Sequence, residues 1–166
     1  MTYTCALKVR LPGLLVVLLA TALGLLASPA RAQVLDLASY PQSSLEIAAK
    51  GARHKFEIWI ADTPERQRQG LMYVRDLPAN QGMLFVNESS RVSSFWMKNT
   101  YIPLDMLFID ARGKIVAIFA NTTPLSLEPV GPVTPVLAIL ELRGGESARR
   151  GLRKGDRVIH PAFRPR

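Results

Sequence analysis

The run Leu104-Asp105-Met106-Leu107-Phe108-Ile109-Asp110, followed by Ala111-Arg112-Gly113-Lys114 and then Ile115-Val116-Ala117-Ile118-Phe119-Ala120, decides the fold. Two short segments rich in β-branched and aromatic residues flank a polar turn that contains glycine, which is the pattern of a β-hairpin. Upstream, residues 94–98 read as another strand, and Pro103, whose ring fixes φ, bends the chain between that strand and the hairpin. A short apolar strand at 83–86 follows the breaker Leu77-Pro78-Ala79-Asn80-Gln81-Gly82. Nearer the N-terminus, 44–49 and 55–61 alternate as half-buried strands do, the second with Phe56, Ile58 and Ile60 on one side. Between these blocks Thr63-Pro64-Glu65 starts a helix that runs to about Val74: Thr63 caps, Pro64 suits the first helical position, and Glu65 complements the dipole. Downstream, 121–135 carries Pro124, Pro129, Pro132 and Pro135, too many for a central strand, so it is expected as a long loop or edge. Residues 136–142 resume as a strand, 146–152 fit a short helix, and 157–160 form a last strand after the Gly155-Asp156 turn. About seven or eight short strands with one or two short helices predict a mainly β, α+β chain: one compact domain built as a barrel-like rolled sheet.

The first 32 residues have the composition of a secretory signal: Lys8 and Arg10, an apolar run over 11–26, and Ala30-Arg31-Ala32 as the cleavage site. That run is interrupted by Pro12, Gly13 and Gly24 and falls short of the about 20 apolar residues a membrane span needs. The expected organisation is a signal peptide at 1–32, a flexible leader at 33–43 and a single domain at 44–162, exported to the periplasm or secreted, with no stable span after cleavage. The one cysteine, Cys5, lies before the apolar run, so the mature chain has neither disulfide nor thiol chemistry. Without Lys8, Arg10 and Arg31, 18 Lys and Arg face 13 Asp and Glu, a net charge of +5. Much of that excess sits at Arg143, Arg149, Arg150, Arg153, Lys154, Arg157, Arg164 and Arg166. A basic cluster can meet an anionic lipid or envelope polymer; for an exported protein, nucleic acid is not the expected partner.

Three blocks resemble one family in order and spacing. They are Thr63 with Gly70-Leu71-Met72; Gly82-Met83-Leu84-Phe85; and Phe95-Trp96-Met97-Lys98-Asn99-Thr100 running into Ile102-Pro103-Leu104-Asp105-Met106. Leu140-Glu141-Leu142 with Gly144, and the closing Gly155-Asp156, match too. On these residues the chain is identified as a member of the domain of unknown function 192 family, over about residues 45–160. The resemblance implies a small β-rich, barrel-like single domain, often exported, with no established activity, cofactor or catalytic residue. The aliphatic run 136–140 departs from the family's usual approach to the L-E-L motif and offers no aromatic there.

Within the third block Trp96, Lys98, Asn99, Thr100 and Asp105 place polar groups in an otherwise apolar segment, where each needs a partner or a cavity. On a strand Trp96, Lys98 and Thr100 share one side and Asn99 the other, and across the bend Lys98 or Asn99 could face Asp105. Two outcomes are open: a cleft with a Trp96 wall and a few convergent polar groups, or a buried network that fixes the bend. Glu141, between Leu140 and Leu142, points away from both, towards solvent or, if that side closes the barrel, towards a cation such as Lys98 or Arg143.

Four methionines, Met72, Met83, Met97 and Met106, lie in the family blocks, and thioethers can bind Cu(I). Methionine also fills irregular cores, and no dense Met run, His or Cys completes a set, so no metal ligand or cofactor is assigned. His54 and His160 form no zinc pattern, and no G-x-S-x-G elbow supports a Ser93 or Ser94 triad with His160 and Asp105. Gly70, Gly82 and Gly155 read as helix end and turns. Asn87-Glu88-Ser89 and Asn121-Thr122-Thr123 match the short glycosylation pattern.

The expected function is a non-enzymatic binding domain taking a small polar or anionic ligand, or a partner segment, in a cleft around Trp96, Lys98, Asn99, Thr100, Asp105 and Glu141. The alternatives are an enzyme with Asp105 or Glu141 as general base, and an envelope interaction module using the basic C-terminal face.

Overall fold

The computed structural model describes residues 34–163; the segment expected as a signal peptide, Cys5, Arg164 and Arg166 lie outside the described residues. Seven strands form one sheet: β1 (Gln42–Ala49), β2 (Ala52–Ala61), β3 (Gln81–Arg91), β4 (Leu104–Ile109), β5 (Ile115–Phe119), β6 (Val136–Arg143) and β7 (Arg157–Ile159). Their order is β5-β4-β6-β3-β2-β1-β7. Only β2 and β3 run parallel, and helix α1 (Pro64–Gln69) lies in their crossover. The sheet curls until its edges meet at one corner, where the Ile115 amide bonds Asp156 O at 2.9 Å and the Val158 amide bonds Gly113 O at 2.7 Å. The second helix, α2 (Glu146–Arg149), precedes β7.

Local chemistry explains the joints. β1 and β2 are linked by Lys50 and Gly51 at φ 44° and 81°, the two positive values a tight type I′ hairpin turn demands. Thr63 caps α1, its hydroxyl accepting the Arg66 amide at 3.3 Å, with Pro64 in the first turn. All six residues of β4 are buried, because the sheet is covered on both faces. One core, with Ile47, Phe56, Leu107 and Leu140, fills the inside of the roll; a second, with Tyr40, Leu71, Met83, Met97 and Met106, lies between the outer face and the loops. Among the described residues no helix is long and apolar enough to cross a membrane.

Four expectations are corrected. Residues 94–98 are not a strand: Phe95 makes one bridge to Val130, because Pro124 and Pro129 in the facing loop lack the N–H a ladder needs. α1 stops at Gln69 instead of Val74, since Gly70 and Tyr73 take φ 50° and 69° and turn Leu71 into the outer core. α2 likewise ends at Arg149, not Leu152. The segment expected as a flexible leader is anchored from Leu35 onward. Its backbone is clamped by the Gln69 side chain at 2.6 and 2.7 Å, and Tyr40 is buried in the outer core.

Candidate functional site

Trp96 is 50 % exposed, on the loop that leaves β3, and the Lys98 ammonium sits 5.2 Å from its ring centroid. An indole left in solvent beneath a cation is an aromatic contact surface ready for use. The loop behind it is firmly held. The Met97 amide bonds Ser126 O at 2.9 Å, and the Leu125 amide bonds Thr100 O at 3.1 Å. Asn99 donates its side-chain amide to the Tyr73 hydroxyl at 3.0 Å, while its carbonyl accepts the Tyr73 amide at 2.8 Å. Of the five non-glycine residues with positive φ among the described residues, four border this loop: Tyr73, Asn99, Asn121 and Leu125.

An open groove of about 780 Å3 lies beside Trp96, between α1, the far end of β3 and the proline-rich loop. Arg68 and Arg91 line it with Asp62, Glu88, Leu127 and Pro129, so its lining joins apolar surface to charges of both signs. Leu127 is 64 % exposed, and Tyr73, Tyr101 and Leu125 extend exposed apolar surface around the Lys98–Thr100 turn. These residues were not foreseen. The one signal for them was a set of large apolar side chains in a segment too rich in proline to be core.

The remaining expected site residues are elsewhere. Thr100 is buried within its own turn, its hydroxyl donating to Lys98 O at 3.3 Å. Asp105 does not meet Lys98 or Asn99. It is fully buried, and its carboxylate accepts the amides of Asn121 at 2.8 Å, Gly145 at 2.9 Å and Ser147 at 2.7 Å. It therefore ties β4 to the end of the β5 loop and to the first turn of α2. Three amide donors leave it no role as a free base.

Glu141 faces the outer core, not solvent. It is 4 % exposed, and no hydrogen bond or cation reaches its carboxyl among the described residues; burial pushes its pKa up to about 8. Arg143 turns instead to Glu146, where Arg149 and Arg150 also converge. Burial works against the Glu146 charge, but the Arg149 and Arg150 hydrogen bonds and charges outweigh it and hold that carboxyl below the usual range. Three cations of the expected basic face, all partly exposed, are thus drawn onto one buried carboxylate.

His160 accepts the Ala162 amide at Nδ1 (3.2 Å), so its proton sits on Nε2, which donates to Ser43 Oγ at 3.1 Å. The triad with Ser93 or Ser94 is not assembled: Asp105 and His160 bind other groups. Asn87 uses its amide on Val136 O and Ser93 Oγ, both at 3.3 Å, and is buried, which closes it to glycosylation. No cluster of three or more His, Cys, Asp or Glu able to hold a metal occurs among the described residues.

Fold and site together define a small, mainly β, rolled-sheet domain with an exposed groove that joins an aromatic ring to charges of both signs. The chain belongs to the family DUF192, described as "Uncharacterized ACR", whose profile matches residues 45–160. It is similar to a protein of Sinorhizobium meliloti 1021 described as a "putative transcription regulator", at 38% identity over 75% of this chain and 97% of that one, with a TM-score of 0.73. It is also similar to a protein of unknown function from Novosphingobium aromaticivorans DSM 12444, at 33% identity over 77% of this chain and 91% of that one, with a TM-score of 0.73. No curated protein matches.

Proposed function

We propose that this domain is a non-catalytic binding module whose groove beside Trp96 takes a polar or anionic ligand or an anionic segment of a partner. The observation that carries the reading is the half-exposed Trp96 with Lys98 over its ring, beside a groove whose lining includes Arg68 and Arg91 along with Asp62 and Glu88. Trp96 supplies apolar area, and the cations supply attraction and orientation for a carboxylate or phosphate. Asn99 holds the turn that aims Lys98, and Asp105 holds the scaffold beneath it. The same proposal places the module outside the cytoplasm, supported by the signal-like composition of residues 1–32.

The enzymatic alternative has weaker support. Asp105 is saturated by backbone amides, and Glu141, though its proton is held high, lines none of the described pockets. The words "putative transcription regulator" describe the Sinorhizobium relative, and the described elements of this chain do not support carrying them over to nucleic-acid binding here. The helices span six and four residues, too short for a groove-reading helix, and three of the basic side chains converge on Glu146.

The chain has two tryptophans, so a Trp59→Phe background leaves Trp96 as the only indole reporter. Titrating that protein with organic acids, nucleotides, acidic sugars and short acidic peptides should shift Trp96 emission saturably for at least one class, and Lys98→Ala should abolish the shift. Emission indifferent to every class would reject the reading.

A further inference from the structure

Glu141 lies in a row that crosses three strands. The ladder pairs it with Met83 of β3 on one side and Met106 of β4 on the other, and all three side chains are buried. Directly opposed residues of antiparallel strands carry their Cβ atoms about 4.5–5.5 Å apart on a common face, within reach of one another for long side chains. Two thioether side chains and one carboxyl therefore stand side by side in one row on the outer face, the carboxyl in the middle. In sequence these donors look scattered, 83, 106 and 141, and only the strand order β4-β6-β3 brings them together.

The spot has unmet chemistry. No hydrogen bond reaches the Glu141 carboxyl among the described residues although the residue is only 4 % exposed, and buried carboxyls usually have a partner. The sulfurs of Met72 and Met97 receive the Asn99 amide at 3.9 Å and the Thr122 hydroxyl at 3.1 Å, whereas those of Met83 and Met106 receive no donor among the described residues.

We propose that Met83, Glu141 and Met106 form a binding site for one soft monovalent metal cation, Cu(I) in particular. Thioethers select Cu(I) over the harder divalent ions. A carboxylate beside a monovalent cation leaves no net charge, which an apolar layer tolerates, whereas a divalent ion would leave an uncompensated charge in the core. The site is separate from the Trp96 groove and does not depend on the reading of that groove.

The test uses the full chain carrying Cys5→Ser, so that no thiol competes, titrated with reduced copper under anaerobic conditions against bicinchoninate. One Cu(I) per chain should leave the chelator. Leucine conserves the volume of methionine, so the Met83→Leu/Met106→Leu protein should fold, and it should bind at least about tenfold more weakly, as should Glu141→Gln, while Trp96→Ala binds as the parent does. X-ray absorption at the copper edge of the parent should show two sulfurs and one oxygen in the first shell. Copper that stays on the chelator, a double-leucine protein that binds as tightly as the parent, or a first shell without sulfur would each overturn the assignment.

Discussion

The Ser147 amide donates to the Asp105 carboxylate at 2.7 Å, a bond that joins the start of β4 to the first turn of α2 across 42 residues of chain. With the Asn121 and Gly145 amides on the other oxygen, this single side chain fixes three segments at one end of the roll. Hydrogen bonds to a charged acceptor contribute more than neutral ones, and losing the acceptor leaves buried amides bare. Asp105→Asn keeps the size of the side chain but sets an NH2 against one of those amides. It should destabilise the protein by about 2–4 kcal/mol in urea unfolding, whereas Lys98→Ala, on the surface, should cost less than about 0.5 kcal/mol. Equal, small losses would mean that Asp105 is not the joint described.

Glu141 makes the fold lose stability as pH rises from mildly acidic to neutral. Its folded pKa of about 8 lies above its unfolded value near the ordinary 4.5, so between these limits the native state holds a proton that the unfolded state has released. The contribution is fully present below about pH 4.5 and is lost as pH rises to about 8, with a slope of at most about 1.4 kcal/mol per unit. Unfolding free energies measured from pH 5 to 8 should fall more steeply for the parent than for Glu141→Gln, which has no proton to release. Parallel curves would contradict a buried, unpartnered acid.

Glu146 acts in the opposite direction. Its folded pKa is depressed, so its contribution is present above the unfolded value and lost as pH falls through the folded one. Its three arginines are partly exposed, which limits the gain, and Glu146→Gln should cost about 1–3 kcal/mol at neutral pH and progressively less in acid. A loss independent of pH would argue that packing alone is at stake.

Gly82 offers a steric test. A Cβ placed there would lie 2.6 Å from Glu141 O and 2.8 Å from Leu142 Cδ2, so β3 and β6 could not keep their spacing. Gly82→Ala should destabilise by about 1–3 kcal/mol and leave any Trp96-dependent binding unchanged in the folded fraction.

The hairpin of β4 and β5, the capped start of α1 and the proline-broken loop were legible because each follows from local chemistry: apolar runs about a glycine turn, Thr63 before Pro64, prolines without N–H groups. Gly82 was misread as a turn residue, because sequence shows that a position lacks a side chain but not that a neighbouring strand fills the space. The fate of Asp105 was hidden for a related reason. Its partners are backbone amides 16, 40 and 42 residues away, and an amide has no sequence signature. Alternation correctly turned Glu141 away from Leu140 and Leu142, yet the side it faces is covered by loops that only tertiary structure supplies. Trp96 and Lys98 lie side by side although residues 94–98 form no strand, whereas Arg68, Arg91 and Leu127 reach the groove from positions that no quoted motif residue marks.

The most direct test of the central claim is a thermal-shift screen of the parent, Trp96→Ala and Lys98→Ala proteins against organic acids, nucleotides, sugars, amino acids and acidic peptides. A ligand at 100 times its dissociation constant stabilises the native state by about 2.7 kcal/mol, a shift of several degrees. The account predicts at least one anionic hit with the parent and none with either variant, both variants melting close to the parent when unliganded. Hits that persist undiminished in both variants, or a screen blank for the parent, would contradict a binding groove at Trp96.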